Sequence, residues 1–164
     1  MTTEIPEILR PIAWIAGVWQ SKNGAGHYPT ISDFSYNDKI EFRLCGKQPL
    51  FAYTGSSSHP ERGNPMHLES GFLRVHAGSS TVSFMVAHNF GLTTVEEGSW
   101  DQSSISLKST SIGRMNSAKE PQVLGVERTF RLVDENTLEQ ELSMATSNTP
   151  DSTKHLKATY TRLQ

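Results

Sequence analysis

The stretch that decides the fold is Ile12–Ile31, which reads IAWIAGVWQSKNGAGHYPTI. It begins with an apolar run, Ile12–Trp19, that is far shorter than the about 20 residues needed to span a bilayer. The Ile, Val and Trp content of this run, interrupted by Gly17, predicts a buried strand whose backbone bends or is closely approached. The Gly24-Ala25-Gly26 segment predicts a turn with positive φ. Pro29 then holds the residue before it in an extended conformation.

The rest of the chain alternates apolar and polar residues with a period of two. Ile40, Phe42 and Leu44 alternate with polar neighbours, and the pattern returns in Val126–Leu132 and Leu138–Met144. This alternation is typical of half-buried strands. Tight turns separate about ten such segments, and the only helix predicted is a short lead-in over residues 1–11. The pattern therefore predicts one all-β domain over residues 1–164, either a closed barrel or a sandwich, and periodicity does not choose between them.

Three segments carry more specific local predictions. Met66–Val75 predicts a longer strand in which Gly71 forms a bulge. Gly98–Gln102 predicts the connection of a hairpin. Ile112–Pro121 is less regular and predicts a segment that loops out.

Bulk composition limits the classes of function. The chain has 164 residues and a formal net charge of −2, so it lacks the basic excess that favours non-specific binding to nucleic acid or to an acidic membrane. A single cysteine, Cys45, leaves no intrachain disulfide. The amino terminus has neither the basic nor the apolar region of a signal peptide. We therefore expect a reducing compartment, the cytoplasm or the nucleus.

Histidine is the residue type with the greatest potential for chemistry. The chain contains six histidines, at positions His27, His59, His67, His76, His88 and His155. None shows HExxH spacing or lies beside a cysteine, so no zinc motif is present. From the residues alone, each is more typical of a surface or structural histidine than of a metal ligand.

Two charged features lie within apolar strands. Arg128 falls on the face of Val126 and Phe130, so it is expected to point inward and to be paired, most simply with a buried carboxylate. Glu96 and Glu97 are adjacent, and adjacent strand residues point to opposite faces, so they do not predict a paired-carboxylate site.

The opening stretch resembles the signature of the nitrobindin family, which comprises small haem-binding β-barrels. The resemblance rests on Gly17-Val18-Trp19, Gly24-Ala25-Gly26 and Tyr28-Pro29-Thr30-Ile31, and it extends over roughly Pro11–Leu163. The family pattern has a glycine soon after the tryptophan, whereas this chain has Gln20–Asn23 there and a late Gly-x-Gly. The same departure occurs in nitrobindin domains that close THAP-type zinc-finger proteins.

The resemblance implies a fold and a function. The fold is a ten-stranded antiparallel β-barrel, similar to fatty-acid-binding proteins and lipocalins, which leaves no open sheet edges. The implied cofactor is haem b with five-coordinate ferric iron. The implied activities are reversible binding of nitric oxide and isomerisation of peroxynitrite to nitrate, which would make the protein a haem-dependent peroxynitrite isomerase. A haem propionate is therefore a second possible partner for Arg128.

Three residues are the predicted site. His155 aligns with the proximal iron ligand of the family and is the catalytic and metal-binding residue that the resemblance implies. Thr30 matches a family threonine that lies against the haem. Met144 shares a face with Leu138 and Leu142 just before the His155 loop, so it is either core or pocket lining. His155 has the parity of exposed Lys157, and we therefore expect it in a loop or at the first residue of its strand.

Two other classes of function stay open at this stage. The first is an intracellular carrier of a fatty acid or another small hydrophobic ligand, since a barrel of this size encloses room for one ligand and Arg128 would hold its carboxylate. Co-purified lipid without haem uptake would favour it. The second is an interaction module without chemistry, which a partner pull-down without a bound small molecule would favour. A homodimer is compatible with the sequence, although no apolar stripe singles itself out.

Overall fold

The computed structural model describes residues 4–163, and within them the chain forms a closed antiparallel barrel of ten strands preceded by a short helix. Each strand pairs with its neighbours in sequence, and the first strand pairs with the last. The helix is a 3₁₀ helix over Glu7–Ile15. The strands are β1 (Gly17–Tyr28), β2 (Ile31–Leu44), β3 (Leu50–Ser58), β4 (Pro65–Val75), β5 (Thr81–His88), β6 (Leu92–Trp100), β7 (Ser104–Arg114), β8 (Val123–Asp134), β9 (Thr137–Thr146) and β10 (Thr153–Arg162).

This architecture confirms the all-β class and decides for the barrel over the sandwich. It also confirms a short helical lead-in, although the helix lies later than predicted and residues 1–3 of that prediction are outside the described part of the chain. No helix in residues 4–163 combines the length and the apolar character that crossing a membrane requires.

The first half of the opening apolar run is helical, so the strand predicted for Ile12–Trp19 is wrong up to Ile15. The buried residues of the helix are Leu9, Ile12 and Ile15, which are three residues apart. A 3₁₀ helix has three residues per turn, which agrees with this spacing, although the helix kinks at Ile12, whose φ of −119° and ψ of 19° are not helical. All three side chains belong to the barrel core. A run of apolar residues does not by itself distinguish this helix from a strand, because the period appears only when the flanking residues are buried or exposed.

The helix covers one end of the barrel. Its last residue accepts a 2.9 Å hydrogen bond from the indole Nε1 of Trp19 at the start of β1. Arg162 at the end of β10 stacks over the Trp19 ring at 4.1 Å and donates to the carbonyls of Trp14 and Ala16. These contacts tie the helix to the point at which the first and last strands meet. The opposite end of the same strand pair carries the candidate site.

The glycines of β1 correct one further prediction, the turn at Gly24-Ala25-Gly26. Gly24 and Gly26 lie inside β1 rather than in a turn, and the positive φ in this region belongs to Asn23, at 58°. The rings of Tyr36 and Phe34 pack where a Cβ on Gly24 or Gly26 would lie, so these glycines serve close ring packing.

The predicted bulge and two predicted boundaries also differ from the structure. Gly71 pairs without any shift in register on both sides, and its missing side chain gives room for the main chain of Met85. β6 continues through Trp100, so the connection predicted for Gly98–Gln102 begins later. β7 continues to Arg114, so the loop predicted from Ile112 also begins later.

Candidate functional site

A cavity of about 440 Å³ lies at the end of the barrel away from the helix. This volume is in the range of small-molecule binding pockets. The apolar lining residues include Phe34, Val126, Leu142, Met144 and Leu156. The polar lining residues include Asp38, His67, Glu69, His88, Arg128 and Gln140. His155 is also among the lining residues.

His155 reaches the cavity because β10 is irregular at this point. It is the third residue of β10, and the pairing with β9 shifts register between Lys154 and Leu156. Such a shift places two consecutive side chains on one face of a strand. His155 and Leu156 accordingly both line the cavity, whereas Lys157 stays exposed. The prediction that His155 lies in a loop or at the strand's first residue is therefore wrong, and a bulge resolves the conflict of parity.

The imidazole of His155 is held from one side. Its Nδ1 is 2.9 Å from the main-chain oxygen of His27, so it is Nδ1 that carries the proton and donates it to that carbonyl. The rings of Tyr28 and Phe34 meet it edge-on, with centroids at 5.3 Å and 6.2 Å. Burial lowers the pKa of His155, although the His27 carbonyl opposes the shift. A neutral ring with Nδ1–H engaged leaves the Nε2 lone pair available to a metal.

The structure brings Met144 and His155 together but leaves Thr30 outside the cavity. Met144 lines the cavity, and its carbonyl accepts a 3.0 Å hydrogen bond from the Tyr28 hydroxyl. Thr30 is exposed in the two-residue turn between β1 and β2, beyond the lining residues. Its contact with haem stays a prediction.

Arg128 is buried in a network of carboxylates, as the pattern of β8 predicts. Its Nε donates to Glu96 Oε1 at 2.9 Å, its Nη1 to Gln140 at 2.9 Å, and its Nη2 lies 3.5 Å from Glu69 Oε1. Burial alone would lower the pKa of Arg128, but Glu96 and Glu69 outweigh it and raise the pKa. The guanidinium also lies 5.1 Å from the centre of the Phe84 ring. The buried-carboxylate alternative for Arg128 is confirmed.

Asp38 is a further polar lining residue, and Tyr160 connects it to Gln140. The hydroxyl of Tyr160 donates to Asp38 Oδ2 at 2.5 Å and accepts from the Gln140 amide at 2.8 Å. Burial raises the pKa of Asp38 to about 6, and the hydrogen bond from Tyr160 opposes this shift. Asp38 thus differs from Glu69, whose pKa burial would raise but which Arg128 and His67 hold well below its ordinary value.

A cluster of His67, Glu69 and His88 was missed by the analysis of the sequence. His67 and Glu69 are two residues apart on β4 and share a face, and Glu69 is paired directly with His88 across β4 and β5. Because side chains two residues apart on a strand share a face, the sequence could have predicted that His67 and Glu69 lie together. The contribution of His88 depends on strand register, which the sequence does not show.

Comparison with known proteins points to one family. The family model described as "THAP4-like, heme-binding beta-barrel domain" matches residues 8–162. A human protein named "Peroxynitrite isomerase THAP4" is 40% identical over 95% of this chain, which spans only 27% of that protein's length. An Arabidopsis thaliana protein named "Peroxynitrite isomerase Rv2717c" is 37% identical, and the match covers 93% of this chain and 87% of that protein.

Two bacterial proteins extend the comparison. A Mycobacterium avium protein named "Peroxynitrite isomerase 2" is 33% identical, with 92% of each chain covered. The crystal structure of Rv2717c from M. tuberculosis superposes with a TM-score of 0.86 and 30% identity, covering 98% of this chain and 100% of that chain. The likeness therefore holds for both sequence and fold along nearly the whole barrel.

Proposed function

The chain belongs to the family of THAP4-like haem-binding β-barrels, and from this we propose that it is a haem-b protein that isomerises peroxynitrite to nitrate, with His155 as the iron ligand. The activity is proposed because relatives that match over most of their length carry that name. The human relative is much longer than this chain, so what it does as a whole protein is not transferred. Reversible binding of nitric oxide at the same pocket is part of the proposal.

One observation carries the assignment of His155. Its Nδ1–H is fixed on the carbonyl of His27 at 2.9 Å. Histidines that bind metals commonly donate the second ring N–H to a carbonyl or carboxylate, which sets the tautomer and the orientation of the ring. A proximal histidine of this kind is an ordinary haem ligand. The packing of Tyr28 and Phe34 against the imidazole further restricts its rotation.

The residues present fit a haem group. The cavity combines the imidazole of His155, whose pKa burial lowers, with apolar side chains that include Val126, Leu142 and Met144. When bound, ferric haem would supply a Lewis acid toward an oxygen of peroxynitrite. His155 would bind from one side and keep its proton at Nδ1. The apolar side chains would exclude water from the reacting anion and limit its escape.

The buried arginine does not serve as an anion receptor in this proposal. Arg128 already donates to Glu96 and Gln140 and lies next to Glu69. This engagement also disfavours the lipid-carrier alternative, in which Arg128 would hold a fatty-acid carboxylate. Location in the cytoplasm or nucleus and a possible homodimer stay predictions.

The test is addition of haemin to the purified chain. We expect a Soret band with one haem per chain in the wild type, and a lost or shifted band in His155→Ala. His27→Ala is the matched control, because it removes an exposed imidazole next to His155 while keeping the His27 carbonyl that accepts from His155. Stopped-flow decay of peroxynitrite, with nitrate and nitrite measured in the products, should accelerate only for the loaded wild type and the control. An unchanged Soret band in His155→Ala would overturn the ligand assignment, and co-purified lipid without haem uptake would favour the carrier.

A further inference from the structure

We propose that His67, Glu69 and His88 form a second metal site in the cavity wall, which binds a divalent first-row cation of the Zn²⁺ type. The site uses residues distinct from His155 and does not depend on haem. It would be a three-ligand site with its fourth position open to the cavity, which is the arrangement of catalytic rather than structural zinc.

The distances between the donor atoms fit one shared cation. His67 Nε2 lies 3.1 Å from His88 Nδ1 and 3.3 Å from Glu69 Oε1, and the latter two atoms are 3.4 Å apart. A zinc ion about 2.1 Å from each of three ligands in a tetrahedral array separates them by roughly 3.4 Å, and an octahedral array by roughly 3.0 Å. All three observed separations fall within this interval. Two nitrogens and one oxygen are donors that Zn²⁺ commonly takes.

The barrel presents these atoms on a rigid frame. His67 and Glu69 project from the same face of β4, and His88 is directly opposite Glu69 on β5. Ligands on paired strands keep their separation better than ligands on loops, because the strand hydrogen bonds fix the backbone on both sides. The side chain of His88 is only 6% exposed, while that of His67 is 35% exposed and lies on the open side.

In Glu69 and His88, the polar atom that does not face the proposed cation is held by a hydrogen bond. Glu69 Oε2 accepts a 2.6 Å hydrogen bond from the Tyr53 hydroxyl, which leaves Oε1 for the cation. His88 Nε2 lies 3.2 Å from Thr94 Oγ1, and Thr94 in turn donates to Glu96 at 3.0 Å. Because that hydroxyl proton goes to Glu96, Thr94 is free to accept from His88 Nε2–H, which places the lone pair of His88 on Nδ1. Such outer contacts orient metal-binding groups in proteins.

The charges of the buried network leave room for a cation. Glu69 and Glu96 contribute two carboxylates, and Arg128 is the one guanidinium among them. Arg128 Nη2 lies 3.5 Å from Glu69 Oε1, so it competes partly for this oxygen, but its shortest bond is to Glu96. Asp38 adds a third carboxyl group to the same wall. A divalent ion would therefore reduce an excess of negative charge instead of adding to a positive one.

The alternative is that protons alone join the three groups. A single N–H can bridge one pair of these atoms, and two N–H groups can bridge two pairs. In that case the cluster would be a structural hydrogen-bond network that stabilises the wall and has no affinity for metal. The experiment distinguishes the two directly.

The test is calorimetric titration of Zn²⁺ into the full chain after a chelator has removed bound metal, with Co²⁺ absorption as a second readout. We expect one Zn²⁺ per chain, and visible Co²⁺ bands that the ligand variants lose. Glu69→Gln and His67→Ala should each weaken binding by at least about 100-fold, since each removes one of three ligands, and Thr94→Val should weaken it about tenfold through His88. His67→Ala changes the most exposed ligand, so it keeps the test valid even if Glu69→Gln fails to fold.

Two controls separate this site from other histidines. His59→Gln changes a loop histidine that caps the main-chain N–H groups of Glu61 and Arg62, and His155→Ala removes the proposed haem ligand. Both should retain the Zn²⁺ affinity of the wild type. The proposal is overturned if the wild type binds no Zn²⁺, if His67→Ala binds as tightly as the wild type, or if His155→Ala loses the site. None of these results depends on haem uptake, so they leave the proposed haem function untouched.

Discussion

Replacing Arg128 with methionine should strongly destabilise the barrel. Arg128 is 2% exposed and Glu96 is 0% exposed, with 2.9 Å between Nε and Oε1. Removing the guanidinium would leave the Glu96 carboxylate buried without its partner, and breaking a buried pair in this way costs about 3–5 kcal/mol. Methionine keeps an apolar stem against Phe84, so the loss reflects charge rather than a large cavity. For a chain of this size the change corresponds to a Tm lowered by about 6–20 °C.

An exposed arginine on the same strand provides a matched control. Arg131 lies on the same strand and pairs with Glu139 at 2.6 Å, but its side chain is 52% exposed. Arg131→Met should cost less than about 1 kcal/mol, because exposed ion pairs contribute little. Urea unfolding followed by tryptophan fluorescence gives both free energies. The double variant Arg128→Met/Glu96→Gln should lose less than the sum of its single changes, since the second change removes the stranded charge.

The dependence on pH has a defined sign. Burial would raise the pKa of Glu69, but Arg128 and His67 hold it below its ordinary 4.5. A carboxyl group whose pKa is depressed in the folded state stabilises the protein above the unfolded pKa, and this contribution is lost as the pH falls below that value. The difference in stability between wild type and Arg128→Met should therefore shrink below about pH 4.5. The reasoning is refuted if Arg128→Met costs no more than Arg131→Met at neutral pH.

Three further variants test other parts of the barrel. Gly71→Ala should cost about 2 kcal/mol or more in urea unfolding, because its Cβ would meet the main chain of Met85, which cannot move aside as a side chain can; an unchanged midpoint would contradict this close approach. Burial raises the pKa of Asp38 from 3.8 to about 6, so the wild type loses stability as the pH rises through that interval. The free energy of unfolding of Asp38→Asn relative to wild type should therefore rise by about 2–3 kcal/mol between pH 4 and pH 7. Parallel pH profiles of the two proteins would contradict this prediction. Arg162→Met removes the cation over Trp19 and two hydrogen bonds to the helix end, and should lower stability by about 1–3 kcal/mol with a shift in tryptophan emission; emission identical to wild type would contradict the stacking.

The sequence by itself determined those features that repeat over short distances. Alternation with a period of two gave the strands and the inward direction of Arg128, since successive side chains of a strand point to opposite faces. The short loops and the number of segments limited the fold to a barrel or a sandwich. The resemblance of the opening motifs to a known family then selected the barrel and the cofactor, with His155 as its predicted ligand.

Only the tertiary structure decided features that depend on register and on irregularity. The bulge beside Leu156 turns His155 into the cavity, against the parity that a regular strand would impose. The opening apolar run is helical up to Ile15, because its burial against the core follows a period of three. His88 meets Glu69 only because β4 and β5 pair in one register. The bulge and the register are set by a local shift of one residue and by contacts between residues distant in sequence, and these leave no periodic signal in the chain. The helix is set by which residues of the apolar run the core buries.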